Sequence, residues 1–402
     1  MIDNYEVIIV GAGVSGLMLA KLLDDSNLQV LLLEKKPNIQ IEPRTFGTFA
    51  ATAKEHGLEK YIDAYFDTFA FYGPTAKAVG TETDVMCLVD YQKWAQEQEF
   101  RHVTIRTGID LQEAYRTEEG IVLRDHNKSY FGNLIVDSSG YAQVVSKLLG
   151  LQTLEETGLS FEVELENCEF PIEKEASFIL NTDVANSGGW LYILPNGKGQ
   201  YGWADFYPES ESDLEDLKHR TLAAMKSVAP HNKWLKNADI TYAYGRFGPT
   251  GKVQHKVYDN FITIGDAGGF GTPVTLEGFR ESLDSARFAF LTITKSNTYS
   301  KNELIMFSDL FQAKHGKYYG MHKLVKFLYL RWARNQDIDR WINNFKKLDK
   351  ENFFRLIKGE LTASLMLRTL DVFLVKDLLL NAINNLLPAF LQFRDSISLS
   401  KK

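Results

Sequence analysis

Cysteine is almost missing from this sequence: Cys87 and Cys168, 81 residues apart, are the only two in 402 residues. Two thiols so placed build neither a disulfide framework nor a four-ligand zinc site, and a reducing, cytoplasmic setting is expected. Histidine is sparse as well. His56, His102, His126, His219, His231, His255, His315 and His322 show no HxxxH or HExxH spacing, so no metal ligation is expected. A basic excess is lacking: 45 Lys+Arg face 52 Asp+Glu, a net charge of −7, which argues against binding nucleic acid by phosphate neutralisation. No apolar run attains the roughly 18 residues that a membrane-spanning helix needs. The nearest, residues 378–393, is broken by Asn381, Asn384, Asn385 and Pro388, which leaves only a peripheral membrane contact open. No basic segment precedes the first apolar run, so no secretory signal is expected. A G-x-S-x-G nucleophile elbow is absent too, because Leu17 stands where the second glycine after Ser15 belongs.

What the chain does have is globular composition, 45% hydrophobic and 24% charged, with length enough for two or three cored domains. Residues 7–10 (V-I-I-V) form a short β-branched run typical of a strand buried on both faces. G-A-G-V-S-G follows at 11–16, and a helical pattern at 17–23. Gly11 permits a tight turn, Gly13 lets backbone N–H groups approach a pyrophosphate, and Gly16 lets helix and strand pack closely. The pyrophosphate then lies on the positive end of the helix. A second apolar strand, 29–33, ends at Glu34, 18 residues past Gly16, where a carboxylate can accept from the adenosine ribose hydroxyls. The same cradle serves FAD and NAD, and this unit alone does not separate them.

A second glycine-laden stretch lies some 250 residues on, at 260–286. Residues 261–264 alternate as a strand, Gly265 and Asp266 close it, and a Gly/Pro-rich loop leads to a helix beginning near Glu277. Asp266 can accept from a ribityl hydroxyl. The helix start around Gly278 and Phe279 can hold negative charge developing at N1/C2=O of a reduced isoalloxazine.

The segment G-D-A-G-G-F-x-x-P-V-T-x-E-G-F at 265–279 resembles the corresponding segment of geranylgeranyl reductases. These belong to the flavoproteins of the p-hydroxybenzoate hydroxylase fold, with flavin monooxygenases, halogenases and lycopene cyclases as further members. Two more stretches agree: L-I-V-D-S-S-G at 134–140 is similar to their D-A-S-G strand-turn, and W-L-Y-I-L-P-N-G at 190–197 to their W-x-[FI]-P-x-G strand pair. Two positions depart from the pattern. Leu276 replaces a glycine, and P-R-T-F-G at 43–47 lacks the cysteine of archaeal reductases.

The resemblance implies an α/β multidomain fold: a Rossmann-type FAD-binding domain interrupted by a β-sheet substrate domain, followed by a helical region. The expected boundaries are 1–73, 98–153 and 246–298 for the FAD domain, 74–97 and 154–245 for the substrate domain, and 299–402 for the helices. Its cofactor contacts would be Gly11, Gly13, Val14, Ser15, Gly16, Glu34 and Lys35, then Arg44 and Ile109, then Gly265, Asp266, Pro273, Glu277, Gly278 and Phe279. Glu277 is also the candidate catalytic acid.

Outside these motifs, residues 159–165, 176–180, 190–194 and 200–206 read as strands. A helix follows Pro208, with Ser212 and Glu215 as a capping box. Residues 310–336 read as a helix with Lys314, Lys317, Lys323, Lys326, Arg331 and Arg334 and no acid. They form either a solvated helix with cationic stems over apolar surface or a face for anionic groups. Asp377, Asn381, Asn384 and Asn385 fall on one polar stripe of a last helix. The leading functional expectation is alkene reduction of a hydrophobic, isoprenoid or lipid substrate by hydride from FAD, with NAD(P)H as one electron donor. The alternatives are an FAD monooxygenase, a halogenase (disfavoured because residues 44–47 hold no lysine), a lycopene-cyclase-like enzyme, and a flavin-binding scaffold without turnover.

Overall fold

The computed structural model describes residues 2–41, 44–151, 153–154, 157–169, 174–194, 196–206, 213–249, 256–274, 277–370, 374–377 and 380. Pro43, Ser212, His255, Leu276, Asn381, Asn384 and Asn385 lie outside them, so the capping box and most of the last polar stripe do too. The chain divides into two compact units.

The first comprises Met1–Phe66, Asp84–Gly158 and Arg246–Tyr319. Its centre is a sheet in which Phe261–Thr263, Ser129–Asp137, Ile2–Val10, Val30–Leu33 and Val103–Arg106 lie side by side in that order, all parallel. Ile2–Val10 is the switch strand, because the chain continues to Val30–Leu33 on one side and reaches Ser129–Asp137 on the other. The register pairs Val10 with both Leu33 and Asp137, and Asp137 with Thr263, so these strands end level with one another. In open α/β sheets a ligand crevice forms outside such carboxyl ends, at the switch point.

Burial on both faces explains the near-continuous apolar strands. Val7 and Ile9 face a core shared with the helices Val14–Leu23 and Phe279–Ile293. Ile8 and Val10 face the opposite core with Leu31, Leu33, Val145 and Phe261. The alternation is the two-residue period of a strand with no solvent side. The outer strand Val103–Arg106 is short, because Gly108, at φ +72°, turns the chain after it.

The second unit comprises Asp67–Thr83, Leu159–Gly245 and Gly320–Lys402. Glu175–Asn181, Ala185–Ile193 and Gly199–Asp205 are antiparallel neighbours, with Thr157–Glu166 beyond the last. Glu175 to Ile179 also pair in parallel with Thr68 to Tyr72. The helices Asn335–Phe345 and Lys350–Ile357 pack aromatic side chains on this sheet: Phe71 lies 5.1 Å from Phe345 and 5.9 Å from Phe353 between ring centroids. The strands read at 159–206 are all present, and Asp213–Ser227 is the helix that follows.

The basic stretch at 310–336 is not one regular helix. Two π-helical turns, Gln312–Gly316 and Lys326–Leu330, flank the α-helix Lys317–Val325. Nor are all its cations solvated: Lys326 is buried, and Lys314 pairs with Asp284 and Glu55. A carboxylate supplied from elsewhere in the chain draws Lys314 inward, and the local sequence carries no sign of it.

Candidate functional site

The two glycine-laden segments meet within the first unit. Gly16 packs so closely on the loop that a Cβ there would collide with the carbonyl oxygen of Gly11 and come within 2.6 Å of Ser138 Oγ. Ser138 Oγ reaches the carbonyls of both Val10 and Gly11 at 2.9 Å, and Asp137 fixes the turn after it. Asp137 Oδ1 accepts from Ser139 N at 3.1 Å, and its Oδ2 accepts from Ser146 N and Oγ at 2.9 Å. Gly265 has φ +57°, and a Cβ there would lie 2.9 Å from Ser15 Cβ, so the left-handed turn and the close approach both demand glycine. Its N–H donates to Ser285 Oγ at 2.9 Å.

The helix Val14–Leu23 begins at Gly13 with no side-chain cap, and Phe279–Ile293 begins at Gly278 in the same state. Neither glycine has a side chain to cap its helix, so the first-turn N–H groups, Val14, Ser15 and Gly16 in one and Phe279 in the other, stand at the positive helix ends. Gly13 is exposed, and a Cβ on it would meet nothing within 4 Å. These features fit a dinucleotide: an open backbone surface, an uncapped helix end and an adjacent acid.

Glu34 is that acid. Its Oε2 accepts from Ala12 N at 2.7 Å and its Oε1 from Lys36 N at 2.8 Å, leaving lone pairs on both oxygens for ribose hydroxyls. Ile109 is brought beside it, its N–H donating to the Glu34 carbonyl at 2.9 Å. Lys35 reaches Asp110 at 3.0 Å on the surface. Arg44 is exposed; its carbonyl accepts from Tyr91 N at 3.0 Å, while Tyr91 Oη donates to the Val14 carbonyl at 2.9 Å. Pro273 is buried within the second loop, which Thr272 closes by donating its N–H to the Glu277 carbonyl at 2.9 Å. Phe279 turns its ring inward, stacked on Phe46 at 4.4 Å, so only its backbone faces outward chemistry.

Asp266 and Glu277 are the acids of this loop. A Cβ on Gly278 would lie 3.5 Å from Asp266 Oδ1. Burial holds the Asp266 carboxyl above its ordinary value, opposed by Arg246. Glu277, its side chain 9% exposed, is also pushed up by burial, opposed by Arg280 and by the hydrogen bond from Thr48 Oγ1 at 3.2 Å. A carboxyl so held keeps its proton nearer neutrality and can donate it.

Sequence reasoning missed what lies behind Glu277. Arg280, Glu281 and Asp284 lie three, four and seven positions after Glu277, which stands just ahead of the helix Phe279–Ile293 that carries the other three. Arg280 reaches Glu277 at 3.4 Å and Glu281 at 2.7 Å. Asp284, fully buried, takes His56 at 3.1 Å, Lys314 at 2.9 Å and His315 at 2.7 Å. The charge spacing was the available signal; His56 and His315, more than 250 positions apart, offered none. Oxygen and nitrogen atoms of Glu55, His56 and Asp284 lie within 4.8 Å of one another, and the Lys314 ammonium, 3.0 Å from Glu55, supplies the positive charge between them.

A family model described as an NAD(P)-binding Rossmann-like domain matches residues 9–57. Digeranylgeranylglycerophospholipid reductase 2 of Methanopyrus kandleri is 21% identical over 380 residues, covering 89% of this chain and 93% of the relative. Among solved structures, a geranylgeranyl bacteriochlorophyll reductase-like protein of Thermoplasma acidophilum superposes with a TM-score of 0.76 at 14% identity, covering 92% of this chain and 96% of its own. The halogenase PltM, solved with phloroglucinol and FAD, gives a TM-score of 0.63 at 16% identity, covering 91% and 85%. The resemblance read from the glycine segments is met on both counts: over most of its length the chain is similar in sequence to digeranylgeranylglycerophospholipid reductases, and it shares the α/β fold of reductase-like and halogenase flavoproteins.

Proposed function

We propose that this chain is an FAD-dependent oxidoreductase that reduces carbon–carbon double bonds of a hydrophobic, isoprenoid or lipid substrate. The observation that carries the reading is the packing of Gly265 on Ser15, which sets the second loop, with Asp266 and Glu277, beside the uncapped helix end of the first. FAD, when bound, supplies hydride and takes electrons from a donor such as NAD(P)H. The N–H groups of Val14, Ser15 and Gly16 hold the diphosphate, and Glu34 holds the adenosine ribose. Asp266 accepts from the ribityl chain, while the helix end at Gly278 and Phe279 stabilises negative charge on the ring. Arg44, Lys35, Ile109 and Pro273 complete the cofactor contacts. Glu277 donates the proton that the second alkene carbon needs, and its raised carboxyl suits that task.

The test is anaerobic turnover of an isoprenoid phospholipid with chemically reduced FAD, read by product mass. Reduction adds about 2 mass units per double bond, and a gain of about 16 in air would instead show a monooxygenase. Glu277→Gln is expected to lower kcat by about 10²–10⁴ with little change in KM. A rate near wild type would remove Glu277 from the mechanism.

A peripheral membrane contact is part of the proposal. Among the described residues no helix is long and apolar enough to cross a membrane. Leu324 and Phe327, 47% and 40% exposed, stand between the exposed Lys323 and Arg331. Such a pattern suits the surface of an anionic bilayer. Lys323→Glu and Arg331→Glu are each expected to weaken cosedimentation with anionic vesicles about fivefold at low salt, the effect of roughly 1 kcal/mol per cation. Equal binding to zwitterionic vesicles would sink this part.

A further inference from the structure

The strand Thr45–Phe49 grips the start of the helix Phe279–Ile293 at three points. Phe46 stacks on Phe279, with ring centroids 4.4 Å apart. The Phe49 ring meets the Arg280 guanidinium, 5.6 Å from charge to centroid. Thr48 donates its hydroxyl to Glu277 Oε1 at 3.2 Å. Antiparallel pairing with residues 86–90 fixes the strand, Thr48 lying opposite Cys87. One short strand without a charged residue therefore holds the acid, its guanidinium neighbour and the helix end.

The hydrogen bond to Glu277 decides which oxygen can carry the acid's proton. Thr48 is 1% exposed, and among the described residues Oε1 is the acceptor its hydroxyl reaches. A buried hydroxyl left without an acceptor is costly. A proton on Oε1 would have that result: it would point at Thr48 Oγ1 and leave the threonine's own hydrogen unplaced. With the proton on Oε2, Oε1 remains a carbonyl oxygen and goes on accepting from Thr48. Oε2 lies 3.4 Å from Arg280, which pairs more closely with Glu281 at 2.7 Å. The guanidinium thus leaves room for a hydrogen on Oε2, yet is near enough to offset the charge that remains once it has gone.

We propose that Thr48 is a positioning residue of the reaction, which fixes the rotation of the Glu277 carboxyl and confines its transferable proton to Oε2. The inference rests on the reading of Glu277 as proton donor. In the transfer the Oε2–H bond breaks as a C–H bond forms at the second alkene carbon, and the electron pair stays on Oε2 beside Arg280. The carboxyl is neither oxidised nor reduced. Its hydrogen bond from Thr48 becomes charge-assisted at that moment and so strengthens as the proton leaves.

The electrostatics agree. Burial raises Glu277, Arg280 and the Thr48 hydrogen bond oppose it, and Asp284 reinforces it. Glu281, raised by burial to about 7, lies across Arg280, and the Cys87 thiol opposite Thr48, raised by burial to about 12, keeps its proton at neutral pH. Thr48 is the uncharged member of this set, so its removal alters Glu277 without changing the charge of the site. Because its hydrogen bond favours the ionised form, losing it raises Glu277 further.

Infrared titration of the FAD-loaded protein tests this without turnover. The Glu277 signal is the protonated-carboxyl band that is missing in Glu277→Gln, whereas a Glu281 band persists there. In Thr48→Val the Glu277 band should move to higher wavenumber, because its carbonyl loses a donor. Its midpoint should rise by about one pH unit, the loss of one hydrogen bond to the ionised form. Thr48→Ser should return both to wild-type values, and Thr48→Ala, with the same shifts expected, serves if the valine variant does not fold. In turnover Thr48→Val should lower kcat about tenfold with KM unchanged, and carry the alkaline fall of kcat to higher pH. A purely structural threonine would move the urea midpoint and leave the band where it was. A band unmoved in wavenumber overturns the proposal, and so does a midpoint that falls, which would put the proton on Oε1. Glu277→Gln turning over at the wild-type rate removes the donor reading, and Thr48's part in the reaction with it, while the band shift separately decides where the proton is held.

Discussion

Gly16→Val is expected to give a protein that takes up no measurable FAD and unfolds at markedly lower urea concentration. The new side chain would occupy the place of the Gly11 carbonyl and crowd Ser138 Oγ. Neither neighbour can yield cheaply: Gly11 N donates to the Leu33 carbonyl at 2.8 Å, and Ser138 Oγ holds Val10 and Gly11 at 2.9 Å. Relief requires parting helix from strand, an overpacking cost of about 1–3 kcal/mol or more. FAD affinity should fall at least about 100-fold, some 3 kcal/mol. Gly13→Val is the control. Its Cβ meets nothing in the protein, so the urea midpoint should hold while flavin absorbance after reconstitution disappears. Equal flavin content in wild type and Gly16→Val would sink the assignment of this loop as the cradle.

Asp284→Leu has the largest stability effect expected of the charged cluster. It removes the acceptor of three donors from the interior and leaves the Lys314 ammonium with Glu55 as its remaining carboxylate. Breaking a buried ion pair from one side costs about 3–5 kcal/mol. The pH dependence separates it from Glu281. Asp284 has a depressed carboxyl, so its stabilisation is complete above the ordinary carboxylate value and drains away as pH falls below about 4. Glu281 has a raised one, so native protein binds more protons than unfolded chain between 4.5 and about 7. Stability therefore declines as pH rises through that window, by up to about 3 kcal/mol. Urea midpoints of wild type from pH 4 to 8 should show this decline, and Glu281→Gln should flatten it. A wild-type profile flat across the window would contradict the buried, protonated Glu281.

Local rules carried the first reading a long way. The β-branched run at 7–10, the glycines at 11–16 and Glu34 are close in sequence, and one strand-turn-helix-strand unit sets their geometry. The loop at 265–278 was legible for the same reason. The cluster behind Glu277 was not, because His56, Asp284 and His315 come together only through tertiary packing. The π-helical turn that aims both Lys314 and His315 at Asp284 leaves no periodic trace, since the pattern around it is still helical. Arg246 opposite Asp266 escaped notice in the same way.

The parallel sheet has a consequence for how the chain is made. Phe261–Thr263 pairs with Ser129–Asp137, and Gly265 then seats against Ser15, contacts that span some 130 and 250 positions. At about 5–20 residues per second, the ribosome delivers that last strand roughly 13 to 52 s after the first glycine loop has emerged. For the second half of that interval, about 6 to 25 s after residue 137 has emerged, the apolar edge of Ser129–Asp137 is unpaired, and such edges invite association with other nascent chains. The nucleotide cradle is thus a late product of translation, and its yield in a cell depends on what shields an open strand edge during the wait.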